Sequence, residues 1–155
     1  MGQKVNPIGL RVGISKTWNS KWYAGKDYPE QLKQDLSIQK FVKKRLKHAA
    51  ISHIEVERTA KKTKVNIFTA RPGIIIGRKG DEVERLKHEL NKLTRHEVIV
   101  NIKEIKRPEI EATLVAENIA NQLERRIAYR RAIRRAMTSA TVSYTHLRAH
   151  ETMEY

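Results

Sequence analysis

The sequence predicts an α+β fold, a small three-stranded sheet covered by helices. Three observations predict it. Short runs alternate apolar and polar residues: Ile54 and Val56 against Glu55 and Glu57, Val65 and Ile67 against Lys64 and Asn66, and Val98, Val100 and Ile102 further on. Around them, apolar residues recur at three- and four-residue steps, the spacing of one helical face. The first two alternating runs are separated by a polar "TAKK", which marks a hairpin.

Taken in order, the chain opens on an arm, residues 1–37. Its first 26 residues hold five cations (Lys4, Arg11, Lys16, Lys21, Lys26) and no acid, with Trp18, Trp22 and Tyr23 interleaved. Pro7 and the glycines there argue against regular helix, so the arm is expected to order on a partner. From Pro29 the pattern turns helical through Leu32, Leu36, Ile38, Phe41, Val42 and Leu46, with Asp35 or Ser37 expected to cap a second helical segment. The hairpin follows. After Pro72-Gly73, the isoleucines of "IIIG" lead into "GRKG", residues 77–80. Asp81 is the expected cap of a helix whose apolar face is Val83, Leu86, Leu90 and Leu93, and the third strand ends before Pro108. The sheet and its helices span residues 38–107.

Residues 109–136 read as one long helix within a basic segment, 108–140. Val115, Ile119, Leu123 and Ile127 form an i, i+4 stripe expected to lie on the preceding domain. Residues 125–136 then hold six arginines and no acid, with Arg126, Arg130 and Arg134 in a ladder of their own. Like charges at i+4 destabilise a helix, so the ladder calls for a polyanion. Ala128, Ala132 and Ala136 make a small-residue face left for something else to cover.

Composition narrows the function. The 155 residues carry 32 Lys+Arg against 17 Asp+Glu, a formal net charge of +15. Neutralising phosphates releases counterions, so such a chain is expected to bind nucleic acid. The absence of cysteine excludes disulfides, thiolate metal sites and cysteine nucleophiles. No apolar run reaches the length of a spanning helix, and the N-terminus lacks a signal-peptide core. Met-Gly begins the chain, but Asn6 stands where myristoylation wants Ser or Thr. The expectation is a cytoplasmic RNA-binding protein, not an enzyme, without metal or cofactor. There is no Ser nucleophile elbow, and the glycine loop is out of register for a Walker motif. His146 and His150 have a zinc-like spacing, but no third ligand accompanies them.

Gly77, Arg78, Lys79 and Gly80 are the first candidate RNA-binding residues. Glycines let a backbone approach phosphates closely, the following helix offers N–H groups and its positive end, and the two cations add charge. The second set is the basic helix, Arg126, Arg130, Arg131, Arg134 and Arg135. The third is the arm, Lys4, Arg11, Lys16, Trp18, Lys21 and Trp22.

The "IIIGRKGDEVERL" segment, a Gly-x-x-Gly between two helices beside a three-stranded sheet, resembles the KH domain, whose loop clamps about four nucleotides. The helix-strand-strand-helix-helix-strand order matches its type II variant. "MGQKVNPIGLRVGI", "WNSKWYA", "TARPGIIIGRKG" and "ANQLERRIAYRRAIRRAM" resemble, over about residues 1–140, the family of bacterial-type small ribosomal subunit protein three. That resemblance implies a structural protein of the subunit head. Its KH domain would bind rRNA, and its arm would contact rRNA and neighbouring head proteins. Its arginine helix, here Arg130, Arg131 and Arg134, would lie near the mRNA entry path and help hold the message. The alternative is a free-standing KH protein acting as an RNA chaperone or assembly factor, which would not need the arm. Family members continue into a second α+β domain. Here "TVSYTHLRAHETMEY", residues 141–155, follows instead, and it reads as a non-native or disordered tail on a truncated chain.

Overall fold

The computed structural model describes residues 2–59, 62–94 and 96–151, with Lys79 and residues 144–151 described by backbone alone. A short helix α1 (Pro7–Arg11) and a two-residue strand β1 (Ser20–Lys21) lie in the arm. Then come α2 (Tyr28–Arg45), the hairpin β2 (Ile51–Arg58) and β3 (Lys62–Thr69), α3 (Pro72–Ile76), α4 (Asp81–Thr94) and β4 (Glu97–Glu104). Two helices close the described chain, α5 (Ala112–Glu124) and α6 (Tyr129–Glu151).

The sheet is mixed, in the order β1-β2-β3-β4. β2 and β3 pair antiparallel, Ile54 opposite Ile67 and Val56 opposite Val65. β4 runs parallel to β3, so α3 and α4 form the crossover that a parallel pair requires. The sheet thus has four strands rather than the three expected. The extra strand comes from the arm, where Ser20 and Lys21 run parallel to Val56 and Glu57 of β2.

One face of the sheet carries the core. Ile54, Val65, Ile67 and Val98 meet Ile38 and Val42 of α2, Ile75 of α3, and Leu86 and Leu90 of α4. Each fully buried aliphatic side chain contributes about 1.5–3 kcal/mol relative to exposure, so these nine fix how the three helices lie on the sheet. Leu93, expected on the same stripe, is exposed at the last turn of α4.

Several sequence expectations are corrected. The arm does form a helical turn, because the Asn6 side chain accepts hydrogen bonds from the N–H groups of Ile8 and Gly9 and Pro7 sits at the first helical position. α2 is continuous from Tyr28 to Arg45, so a single helix runs across residue 37 rather than a second segment starting there. Neither Asp35 nor Ser37 caps a second segment; the Ser37 hydroxyl donates to the Lys33 carbonyl one turn back, inside the helix. Asp81 is the first residue of α4 itself, where Asp81, Glu82 and Glu84 favour the positive end of the helix dipole.

The basic segment is two helices, not one. The chain breaks between α5 and α6, where Arg126 takes a left-handed φ of 60°. α6 then folds back beside α5 and the 3₁₀ turn at Pro108–Ile110, burying Ala132 completely. On the alanine face, Ala132 is therefore covered by the chain's own residues and Ala136 partly so, while Ala128 stays exposed. The Ser52 hydroxyl on β2 donates to Glu111, which precedes α5, at 2.8 Å and ties this helical pair to the sheet. The backbone is helical through Glu151, and residues 152–155 lie outside the described residues.

Candidate nucleic-acid interface

The glycine loop is assembled from β3 outward. The Thr69 hydroxyl donates to the Ala49 carbonyl at 2.5 Å and accepts from the Arg71 N–H at 3.0 Å, fixing the exit from the strand. Pro72, at the first turn of α3, starts a five-residue helix. That helix stops at Gly77, whose N–H bonds the Gly73 carbonyl at 3.0 Å.

Gly77 has φ 68° and ψ −170°, a conformation open essentially to glycine alone. A Cβ there would also lie 2.8 Å from Glu82 Cγ, because the loop closes tightly on the first turn of α4. Gly80 has φ 87° but faces open space. The two glycines therefore differ: Gly77 is required by backbone conformation and by contact, Gly80 by conformation only. The backbone from Gly77 to Asp81 hugs the N-terminal end of a 14-residue helix, with the Arg78 side chain exposed.

Of the three consecutive isoleucines before the loop, Ile75 is 1% exposed and sits in the core, whereas Ile74 and Ile76 are 48% and 43% exposed. They add apolar surface beside the cations. Sequence alone could not separate them, because three identical residues carry no periodic signal.

On α6, Arg130, Arg131, Arg134 and Arg135 are all exposed. Arg130 lies over the Tyr129 ring at 5.7 Å, with its Nε–H donating to the Tyr129 hydroxyl at 3.1 Å. Arg126 is exposed too, but in the connection, so the expected ladder of three on one helix shrinks to Arg130 and Arg134. In the arm, Lys4, Arg11, Lys16 and Trp18 are exposed. Lys21 is paired with Glu55 at 3.0 Å. Trp22 is half-buried, its Nε1–H donating to Asp35 at 2.6 Å, so this indole anchors the arm to α2.

His53, on the sheet face away from the core, stacks on Phe68 at 4.1 Å, and Lys103 stands over the same ring. Burial holds the His53 imidazole below its usual pKa, against the pull of Glu55 and Glu111 in the other direction. The neutral ring is favoured. Among the described residues no group of three or more His, Asp and Glu is placed to hold a metal ion; the side chains of His146 and His150 lie outside the described residues.

A Gly-x-x-Gly loop between two helices, in a crossover between strands of a mixed sheet, defines a KH domain of type II. Residues 37–110 match the KH domain family. Over 127 residues, 82% of its length, the chain is 65% identical to small ribosomal subunit protein uS3 from Geobacter sp. (strain M21) and to that from Citrifermentans bemidjiense. It is 62% identical to uS3 from Syntrophus aciditrophicus over the same length. Over these residues the chain is similar to the uS3 proteins. It spans about 60% of the length of the curated relatives it matches.

Proposed function

We propose that this chain acts as a structural, non-catalytic RNA-binding component of the small ribosomal subunit. In this reading the Gly77–Gly80 loop clamps the backbone of rRNA in the subunit head, and the exposed arginines of α6 help position mRNA near its entry path. The arm contacts rRNA and neighbouring ribosomal proteins through Lys4, Arg11, Lys16 and Trp18. It would work on the ribosome, in the cytoplasm. The relatives' name supports the setting, and the formal net charge of +15 supports a polyanionic partner.

The observation that carries the reading is the loop itself. A Cβ at Gly77 would strike Glu82, so the loop is held against the first turn of α4, with open space at Gly80 and an exposed Arg78 beside that helix end. The test is RNA affinity against salt for the chain and for the double variant Arg78→Asp/Lys79→Asp. For single strands the slope of log K against log salt flattens by about 0.7 for each phosphate that is no longer neutralised. The double variant is expected to bind more weakly and with a flatter slope. An unchanged slope would overturn the clamp.

A further inference from the structure

The side chain that meets Gly77 is Glu82, on the first turn of α4. Around a Cβ built at Gly77 the three nearest heavy atoms all belong to Glu82: Cγ at 2.8 Å, Cβ at 3.0 Å and the backbone N at 3.5 Å. The aliphatic stem of Glu82 therefore fills the space that a side chain at position 77 would need. Backbone hydrogen bonds fix the two ends of the loop, from the Gly77 N–H to the Gly73 carbonyl and from the Asp81 N–H to the Arg78 carbonyl. Between those ends Gly77 and Gly80 both have positive φ, 68° and 87°, and glycine leaves the backbone its widest freedom. Whatever freedom the loop keeps in the free chain is lost when it closes on a ligand, and affinity falls accordingly. The stem of Glu82 restrains that freedom beforehand.

The same side chain ends in a charge. Its carboxylate carbon is one bond past Cγ, so it stands within about 6 Å of the Gly77 Cα. A phosphate resting on the loop would then lie inside the Debye length of about 10 Å and be repelled. Arg85 Nη1 is 3.6 Å from the carboxylate, but the two side chains are 68% and 43% exposed, so water weakens the pair. Asp81 and Glu84 share the first turn of α4. Glu84 is exposed and two residues on from Glu82, a spacing that places the two on different sides of the helix.

We infer that Glu82 is the positioning residue of the glycine loop: its stem holds the backbone ready for a phosphate, and its carboxylate limits how tightly that phosphate is held. The inference rests on the RNA-binding reading and adds to the loop a residue that lies outside its Gly-x-x-Gly.

Three variants of the full chain separate stem from charge, read by the fluorescence anisotropy of a labelled single-stranded oligouridine. Glu82→Gln keeps the stem and removes the charge; it is expected to bind about threefold tighter than wild type at low salt. Glu82→Ala removes the charge and Cγ together. It is expected to bind about threefold more weakly than Glu82→Gln, and its Gly77, Arg78 and Gly80 amides should exchange hydrogen faster. Glu84→Gln removes an equal charge away from Gly77 and is expected to stay near wild type. Thermal melts check that all three fold, and their salt slopes should match wild type because no cation is lost. Equal affinities of Glu82→Gln and Glu82→Ala overturn the inference, since the stem would then do nothing. Equal gains from Glu82→Gln and Glu84→Gln overturn it too, since the carboxylate would then act as one charge among many. Either result leaves the clamp standing if Arg78→Asp/Lys79→Asp still weakens binding and flattens the slope. If that double variant binds like wild type, the clamp fails and takes the role of Glu82 with it.

Discussion

Four hydrogen bonds converge on the carboxylate of Asp35: from Ser20 at 2.8 Å, from Trp22 at 2.6 Å, and from Arg58 Nε and Nη2 at 2.9 and 2.5 Å. The carboxylate lies on α2, two of its donors in the arm and two on β2, so one buried group joins three parts of the chain. Read as sequence, an aspartate among helical residues looks like a cap, because its partners lie 13, 15 and 23 positions away and no local pattern connects them. The bond from Trp22 to Asp35 was illegible for the same reason: thirteen positions separate the two and no local pattern joins them. Gly77, by contrast, was legible, since a glycine pair around two cations before a helical pattern is a local signal. Removing one partner of a buried ion pair leaves the other uncompensated, at about 3–5 kcal/mol. Asp35→Ala is therefore expected to lower unfolding free energy by about that much and to expose the arm to protease cleavage near residue 22 before the rest of the chain. Denaturant melts and timed proteolysis check both. A loss near 1 kcal/mol would mean that water already shares the site.

At the scale of elements, the hairpin, β4 and α4 were readable because each buries one face with a regular period. β1 was not, because two residues, Ser20 and Lys21, cannot show alternation. The break between α5 and α6 was hidden as well. Residues 125–128 are Arg-Arg-Ile-Ala, with neither glycine nor proline to mark a stop. Tertiary packing makes the break: α6 turns back so that Ala132 can sit against the turn at Pro108–Ile110 and α5, at the cost of a left-handed Arg126. Small residues allow that approach, and a larger one would not. Ala132→Leu is expected to cost about 1–3 kcal/mol through overpacking, and Ala128→Leu, on the same face but exposed, close to nothing. Thermal melts of the two variants distinguish them. Equal melting temperatures would show that α6 is not held by this face.

Over the whole molecule, charge was the feature plainest in the sequence, and the structure gives it a distribution. Lys21, Arg45, Arg58, Lys62 and Arg85 have carboxylate partners, but the ion pairs among the described residues include none of the α6 arginines and none of Lys4, Arg11 or Lys16. Unpaired cations therefore line the arm and α6, and the sheet with its helices carries excess charge as well, residues 38–107 holding 19 Lys+Arg against eight Asp+Glu. Self-repulsion of this kind destabilises a compact state, and salt screens it, with a Debye length of about 10 Å at 0.1 M. Binding of a phosphate backbone responds to salt in the opposite sense, because released counterions drive it. Raising monovalent salt from 50 to 500 mM should thus stabilise the free protein by on the order of 1 kcal/mol, a rise of roughly 2–4 °C in melting temperature for a chain of this size. The same change should weaken single-stranded RNA binding steeply. Calorimetry and anisotropy on one salt series measure the two effects together. A melting temperature that falls with salt would mean that the five ion pairs outweigh the repulsion among the unpaired arginines, and RNA would then not be needed to settle α6.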